Sequence, residues 1–303
     1  MDVLVFGAGS LGSLLGGLLA RTHDVTLVGR DPHVRAVRED GLRVDGVETF
    51  ETRPSATTVG TGHAADLALV TVKAYDTETA AAALATGTFD AVCTLQNGMG
   101  NEETLASALD APILAGTTTL GAKLAEPGRV EWRGRGTVTV GPWRAPATAV
   151  DRVASALATD LDVTVADDVR ARLWEKLAVN VAINPATALA GVENGALDRA
   201  VDADAASVAE TAARETARVA RAEGVDLAPE DAVEAVREVV AATARNRSSM
   251  CRDVTVGRRT EIDAIGGYVL ARARADDVAV PVTETLTTLV RAWERGEDLR
   301  SND

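Results

Sequence analysis

The amino-acid sequence predicts an α/β protein in which a domain of parallel βαβ units is followed by an all-helical domain. In the first half of the chain, short apolar runs alternate with helical patterns, which is typical of βαβ units. After residue 165 the pattern becomes almost wholly helical. The length of 303 residues is about twice that of an average domain. We therefore predict a first domain over residues 1–167 and a second over residues 168–303.

The strands of the first domain are predicted from short runs rich in β-branched and other apolar residues. These runs cover residues 2–6, 24–28, 67–72, 91–95, 113–118 and 163–165. Residues 10–21 form a helix between the first two strands, and alanine-rich helices separate the later ones. Residues 128–142 are predicted to form an antiparallel pair, and Asp45-Gly46 favours a hairpin turn.

Proline and glycine mark the helix ends. Asp31 before Pro32 is typical of an N-cap followed by proline, and this helix is expected to end near Gly41. In the second half of the chain, repeated breaks predict several helices rather than one long helix. The breaks fall at residues 191–195, Gly224, Pro229, Gly257 and Pro281.

The composition excludes several classes of partner. A net charge of −14 repels phosphate backbones, and 3% aromatic residues supply few stacking side chains, so we predict no nucleic-acid partner. No apolar stretch reaches the roughly 20 residues of a membrane span. The first apolar run enters a glycine loop rather than a leader cleavage site. We therefore expect a cytoplasmic protein with no membrane partner.

The cysteine, histidine and lysine contents are also informative. Cys93 and Cys251 lie far apart and the three histidines are scattered, so we predict no metal centre. Among 31 basic residues only three are lysines, namely Lys73, Lys123 and Lys176. High acidity with few lysines is typical of a halophilic protein from a salt-rich cytoplasm. A GC-rich genome also produces an arginine bias, and both explanations stay open.

A G-x-G-x-x-G loop at residues 7–12 directly follows a predicted strand and opens a helix. In this pattern the glycines permit a tight turn, backbone approach to a pyrophosphate and close packing of the helix on the strand. The helix N-terminus offers N–H groups and a positive dipole end to phosphates. The alternative is a purely structural glycine turn, but the context favours a Rossmann-type dinucleotide-binding domain. Its predicted cofactor contacts are Gly7, Gly9, Ser10, Leu11 and Gly12.

The residues after the second and third strands predict a preference for NADPH. Arg30 stands where an NAD-binding fold would usually carry an acid, and a guanidinium suits a 2′-phosphate. Asp31 follows directly, and its helix-capping role is the simpler explanation for that acid. Lys73 ends the third strand at the carboxyl edge of the sheet. Its ammonium either contacts a phosphate of the cofactor or is simply solvated.

Lys176, Asn180 and Asn184 are spaced i, i+4, i+8 and therefore share one face of a predicted helix with apolar neighbours. A buried polar stripe of this kind is costly unless it is hydrogen-bonded, so it should contact a ligand or form a polar seam between helices. Asn97-Gly98 follows the strand at residues 91–95, where a substrate contact and a plain turn are equally open.

These motifs together resemble the ketopantoate reductase family. They run in family order over nearly the whole chain, and the motifs of the helical domain are more specific than the glycine loop. They comprise the glycine loop and residues 69–74, 97–100, 116–119, 176–185, 246–250, Asp253 and 260–263.

The resemblance implies NADPH-dependent reduction of 2-dehydropantoate to (R)-pantoate, a step towards pantothenate and coenzyme A. Lys176 matches the catalytic lysine of the family and Glu261 matches the acid that binds the substrate hydroxyl. Asn97 matches the residue between nicotinamide and substrate, and so counts as a contact of both. The other substrate-binding positions are matched by Asn180, Asn184 and Ser249.

Two other functions remain open from the sequence. A related NAD(P)-dependent dehydrogenase could act on another small oxo or hydroxy acid, and a redox sensor could bind NADPH without turnover. The sensor has no need of the Lys-Asn-Asn stripe with Glu261. The oligomeric state is equally open, because the alanine-rich face of residues 201–222 suits either a core or the seam of a homodimer.

Overall fold

The computed structural model describes residues 1–158 and 160–300. It contains two compact units. The first comprises residues 1–96 and 100–169, and the second comprises residues 97–99 and the chain from residue 170 onward.

The first unit contains all the strands among the described residues. They are β1 (Asp2–Phe6), β2 (Asp24–Val28), β3 (Leu42–Gly46), β4 (Phe50–Thr52), β5 (Ser55–Thr57), β6 (Ala64–Val70), β7 (Thr88–Thr94), β8 (Ile113–Thr118), β9 (Gly121–Glu126), β10 (Arg129–Gly134), β11 (Thr137–Arg144) and β12 (Asp162–Val165). The α-helices among the described residues of both units are α1 (Ser10–Leu19), α2 (His33–Asp40), α3 (Thr77–Leu84), α4 (Asn101–Ala108), α5 (Ala147–Leu157), α6 (Val169–Ala190), α7 (Ala203–Ala222), α8 (Pro229–Ala242), α9 (Ser249–Thr255), α10 (Tyr268–Ala275) and α11 (Pro281–Gly296).

The large sheet has the strand order β12-β11-β8-β7-β6-β1-β2-β5. Its pairings are parallel except that β11 runs antiparallel to β8. Val3 and Val5 of β1 enter one apolar cluster, whereas Leu4 and Phe6 enter a second. Alternate side chains of a strand point to opposite faces, so both faces of this sheet are buried. This explains why β1 reads as an unbroken apolar run.

The predicted strands agree closely with the observed ones. Residues 2–6, 24–28 and 113–118 are strands with the predicted bounds. The predicted hairpin is also observed, because β3 pairs antiparallel with β4, although the connection lies at residues 47–49, directly after Asp45-Gly46. The strands predicted at 67–72 and 91–95 each begin three residues earlier, at Ala64 and Thr88.

The predicted antiparallel pair within residues 128–142 is wrong. In the small sheet, of order β4-β3-β10-β9, strand β10 pairs with β9 and β3, whereas β11 pairs with β8 and β12 in the large sheet. The chain changes sheet at Gly136, where a Cβ would lie 2.6 Å from Thr119 Oγ1. Alternation of side chains identifies a strand and its buried face, but it does not identify the strand's neighbour.

Asp31 lies at the start of α2, but one position before the N-cap rather than at the N-cap itself. The helix begins at His33, and Pro32 occupies the N-cap position. The Asp31 carboxylate still accepts a hydrogen bond from the backbone N–H of Arg35 at 3.1 Å. It therefore satisfies one of the free N–H groups of the first turn.

The second unit is helical, as predicted. Helices α6, α7 and α9 end next to the predicted glycine breaks, and α8 and α11 begin at Pro229 and Pro281. Trp174 of α6 is fully buried and meets Tyr268 edge-on, with ring centroids 5.8 Å apart. Within the described residues, no helix is long and apolar enough to cross a membrane, and no cluster of acidic, histidine and cysteine side chains could hold a metal ion.

Candidate active site

The glycine loop forms a tight turn between β1 and α1. Gly7 has φ +116°, and a Cβ there would lie 2.6 Å from the Val72 nitrogen, so no other residue fits without a backbone shift. A Cβ on Gly12 would lie 2.2 Å from the Gly7 oxygen. Thr71 adds a hydrogen bond from its hydroxyl to the same Gly7 oxygen at 2.9 Å. The loop is therefore held against the end of β6.

This turn fits a dinucleotide. Apart from Gly9 itself, its two neighbours in the chain and the adjoining helix backbone, no described heavy atom lies within 4 Å of the point where a Gly9 Cβ would stand, so the backbone is open to a ligand there. Gly9 is also the N-cap of α1 and provides no side-chain cap for the first N–H groups. These groups and the positive end of the helix dipole suit a pyrophosphate.

Ser10 and Leu11 have structural contacts in addition to their backbone positions in this loop. The Ser10 hydroxyl accepts a hydrogen bond from the Leu124 N–H at 2.9 Å, which attaches β9 to the start of α1. The Leu11 side chain packs against the apolar core. Cofactor contact by these two residues would therefore come mainly from their backbone N–H groups.

Arg30 and Lys73 both lie at the carboxyl edge of the large sheet. Arg30 follows β2, and its guanidinium is 3.1 Å from a carboxylate oxygen of Asp76 with its side chain 87% exposed. Lys73 follows β6, and its carbonyl accepts a hydrogen bond from the Asp76 N–H at 2.8 Å. The turn that begins at Lys73 thus brings Asp76 to Arg30.

Gln96 is a buried residue that sequence reasoning missed. Its side-chain amide donates to the Val72 carbonyl at 3.1 Å and to the Thr77 hydroxyl at 2.8 Å, while its oxygen accepts from the Thr94 hydroxyl at 2.9 Å. It therefore fixes the chain just before Lys73 and just before Asn97. A single glutamine after a strand carries no sequence signal for this role.

The polar stripe lies on α6 as its spacing predicts. Asn184 is buried, and Lys176 and Asn180 are half-buried. The Nδ2 atom of Asn180 is buried and has no hydrogen-bond partner within the part of the chain that the structure describes. A buried amide donor normally has a partner, so this atom is available to a ligand.

Glu261 acts on Lys176 electrostatically. Burial lowers the pKa of Lys176 from 10.5 to about 8, and the negative charge of Glu261 opposes that shift. Glu261 is itself buried. An ammonium with this pKa is charged at neutral pH and can still release its proton readily.

Asn97 is linked to this group by a backbone hydrogen bond two residues further along the chain, at Met99. The N–H of Met99 donates to the Ala264 carbonyl at 2.9 Å, within the π-helical turn at Asp263–Gly267. That turn begins two residues after Glu261. Asn97, Lys176 and Glu261 therefore belong to one compact unit, as do Asn180 and Asn184.

Ser249 is placed near the far end of the stripe. It is the first residue of α9, whose N-cap Ser248 accepts a hydrogen bond from the Cys251 N–H at 3.0 Å. The Ser248 hydroxyl is also hydrogen-bonded to that of Thr187 at 2.8 Å, and Thr187 lies one turn after Asn184 on α6. Sequence reasoning missed Thr187 and Ser248, since their pairing links residues far apart in the chain.

Comparison with known families agrees with this arrangement. The family model described as "Ketopantoate reductase PanE/ApbA" matches residues 3–145, and the model of its C-terminal part matches residues 168–294. The chain belongs to the ketopantoate reductase family. The enzyme is therefore an NAD(P)-dependent oxidoreductase, and the resemblance stated from its motifs is confirmed.

Individual relatives match over their full length. A 2-dehydropantoate 2-reductase of Halobacterium salinarum is 48% identical over 305 residues, covering 97% of this chain and 99% of that protein. The source of this relative is consistent with the halophilic interpretation of the composition, and the alternative of a GC-rich genome stays open. The crystal structure of a PanE/ApbA family ketopantoate reductase from Ralstonia eutropha has a TM-score of 0.89 at 34% identity, covering 98% of this chain and 100% of its own.

A second solved structure is similar in fold but is named for a different enzyme activity. The ternary structure of D-mandelate dehydrogenase with NADH and anilino(oxo)acetate has a TM-score of 0.91 at 25% identity. It covers 99% of this chain and 100% of its own. The same two-domain architecture therefore occurs in enzymes for different 2-hydroxy acids.

Proposed function

We propose that this enzyme reduces 2-dehydropantoate to (R)-pantoate with NADPH, a step towards pantothenate and coenzyme A. We assign cofactor binding to residues 1–167 and substrate binding to residues 168–303 together with Asn97. The observation that carries this proposal concerns Lys176 of α6, whose pKa is lowered to about 8 and which interacts with the buried Glu261. The same helix bears Asn180, whose Nδ2 atom has no hydrogen-bond partner among the described residues.

The dinucleotide contacts follow from the first unit. The backbone at Gly7, Gly9, Ser10, Leu11 and Gly12 would hold the pyrophosphate at the N-terminus of α1. Arg30 would bind the 2′-phosphate after exchanging its contact with Asp76, and Lys73 would add a second positive charge at the same edge. When bound, NADPH supplies the hydride.

Lys176 supplies the proton. Reduction of a ketone leaves negative charge on its oxygen, and the ammonium of Lys176 stabilises that charge before it transfers a proton to the oxygen. Burial has two effects here, because it strengthens the electrostatic attraction and makes the ammonium a stronger acid.

The remaining side chains orient the substrate. Glu261 would accept a hydrogen bond from the substrate hydroxyl, and its charge favours the protonated form of Lys176. The amides of Asn97, Asn180 and Asn184 and the hydroxyl of Ser249 would bind the carboxylate and carbonyl of a small acid. Fixing both ends of the substrate presents one face of its ketone for reduction.

A panel of 2-oxo acids, each assayed with NADPH and with NADH, tests the proposal. We expect 2-dehydropantoate with NADPH to give the highest kcat/KM. The similarity to D-mandelate dehydrogenase makes reduction of an aromatic 2-oxo acid the second candidate. A higher kcat/KM for phenylglyoxylate than for 2-dehydropantoate would establish that candidate instead.

A further inference from the structure

Glu294 of α11 lies outside every motif of the sequence analysis, yet its side chain is completely buried. One carboxylate oxygen accepts two hydrogen bonds from Thr260, from the backbone N–H at 2.7 Å and from the hydroxyl at 2.7 Å. The other oxygen accepts from Arg300 Nε at 2.9 Å. A buried carboxylate is tolerated only when it is paired and hydrogen-bonded, and both oxygens of Glu294 meet that condition.

Thr260 directly precedes Glu261, and its hydroxyl closes the turn that carries Glu261. The hydroxyl oxygen accepts a hydrogen bond from the Ile262 N–H at 3.2 Å and donates its proton to Glu294. Hydroxyl-to-backbone bonds of this kind define a local turn. The backbone N–H groups of the residues before and after Glu261 are thus linked to one buried carboxylate, directly at Thr260 and through the Thr260 hydroxyl at Ile262.

Asp263 adds a second attachment of this segment, to Arg291 and Arg300. Its Oδ1 atom accepts from Arg291 Nε at 2.9 Å and from Arg291 Nη2 at 2.8 Å, and its Oδ2 atom accepts from Arg300. Arg291 and Glu294 are both on α11. If the bonds from Glu294 are removed, Asp263 still holds the segment to α11. We therefore expect the turn at Glu261 to shift rather than the segment to unfold.

We propose that Glu294 is a positioning residue, which acts through Thr260 to hold Glu261 beside Lys176 at the place where a substrate hydroxyl binds. The part of this inference that concerns the substrate rests on the proposed function. The part that concerns the distance from Glu261 to Lys176 does not.

The chain offers a matched control at the other end of α11. Glu215 is also buried and accepts from the Thr283 N–H and the Thr283 hydroxyl, both at 2.8 Å, and from the Val282 N–H at 3.1 Å. Thr283 and Glu294 lie roughly 16 Å apart along the helix. Loss of Glu215 removes an equivalent set of buried bonds without touching the turn at Glu261.

The titration midpoint of Lys176 depends on the distance of the Glu261 charge and therefore reports whether Glu261 has moved. With only three lysines, the protein labelled with ¹³C at lysine Cε gives three lysine resonances, of which the one missing in Lys176→Arg is assigned. We expect Glu294→Gln and Thr260→Val to move the midpoint of Lys176 to lower pH by about half a pH unit or more, since the charge of Glu261 acts from farther away. Glu215→Gln and Thr260→Ser should keep the wild-type midpoint.

Two outcomes would overturn the proposal. A wild-type midpoint in both Glu294→Gln and Thr260→Val would show that Glu261 stays in place without Glu294. An equal shift in Glu215→Gln would show that any loosening of α11 has the same effect. Thr260→Val breaks the contact from the opposite side, so the test does not depend on the folding of one variant.

Steady-state kinetics tests the part of the inference that concerns the substrate. We expect Glu294→Gln to raise KM for 2-dehydropantoate about tenfold with little change in kcat, which matches the loss of one hydrogen bond to a charged group. Glu215→Gln should retain the wild-type KM, and a wild-type KM in Glu294→Gln would contradict the substrate part of the inference. If the wild-type enzyme does not reduce 2-dehydropantoate, the proposed function fails, and the lysine titration still decides the role of Glu294.

Discussion

The backbone N–H of Met99 donates a hydrogen bond to the carbonyl oxygen of Ala264 at 2.9 Å. This bond attaches residues 97–99 to the turn that follows Glu261, although 165 positions separate Met99 from Ala264 in the sequence (264 − 99). Gly98 makes the approach possible. It has φ +79°, and a Cβ there would lie 2.6 Å from the Ala264 oxygen.

Gly98→Ala should therefore destabilise the protein and weaken substrate binding. The added methyl group meets backbone atoms that cannot move aside, and the positive φ adds strain. We expect the free energy of unfolding to fall by about 2–3 kcal/mol. Chemical denaturation measures this loss. Gly62→Ala is the control, because Gly62 has φ +75° and its Cβ position has no described heavy atom within 4 Å beyond those of Gly62 and its two neighbours in the chain. Equal losses in the two variants would contradict the role of the contact.

Removal of the Lys176 ammonium should abolish most of the chemistry. Loss of a general acid typically costs 10²–10⁴-fold, so we expect Lys176→Ala to lose about that much in kcat while NADPH binding is retained. Single-turnover hydride transfer, followed by the loss of NADPH absorbance, measures this step. Lys123→Ala, at an exposed lysine of β9, is the control. Wild-type hydride transfer in Lys176→Ala would show that the lysine is structural.

The same lysine predicts the pH dependence of the reaction. The protonated form of Lys176 is the proton donor, so kcat/KM should be constant below its pKa and fall as the pH rises through about 8. Lys176→Arg should lose this limb together with most of the activity, because a guanidinium does not release its proton in this range. A basic limb at the same pH in that variant would assign it to another group.

Arg30→Ala should weaken NADPH and leave NADH almost unchanged. A guanidinium bound to the 2′-phosphate contributes about 1.5–3 kcal/mol, the scale of a hydrogen bond between charged groups. Isothermal titration calorimetry with both cofactors measures the difference. Arg35→Ala, at an exposed arginine of α2, is the control. Equal affinity of the wild-type enzyme for NADPH and NADH would show that Arg30 confers no preference for NADPH.

Glu102 should make the protein less stable at alkaline pH. Its side chain is buried in the first turn of α4, one carboxylate oxygen has no described partner, and burial raises its pKa from 4.5 to about 7. The folded state therefore favours the protonated form. Stability from this group is fully present below pH 4.5 and is lost as the pH rises through about 7.

Glu102→Gln removes that loss. We expect the variant to exceed the wild type by about 2–3 kcal/mol in the free energy of unfolding at pH 8, with the difference shrinking towards pH 5. Urea denaturation at both pH values measures it. Glu78→Gln, at an exposed acid in the first turn of α3, should show no such pH dependence. A pH-independent difference in Glu102→Gln would refute the assignment.

Much of the architecture could be predicted because it depends on short spacings. The strand, glycine loop and helix at residues 2–19 follow from an apolar run, three glycines and a helical period within 20 positions. The stripe of Lys176, Asn180 and Asn184 follows from the helical repeat alone. By contrast, the same kind of local pattern gave the wrong partner for β10, since a strand's alternation says nothing about its neighbour.

The sequence by itself determined which residue types are present for reduction of a small oxo acid and which face of α6 carries them. The tertiary structure alone decided that Glu261 acts on Lys176, that Met99 is bonded to Ala264 and that Glu294 holds Thr260. It also decided that Glu102 is buried while Glu78, in an equivalent helix position, is exposed. The physical reason is that desolvation, pairing of buried charges and long-range hydrogen bonds depend on neighbours that the chain brings together only when it folds.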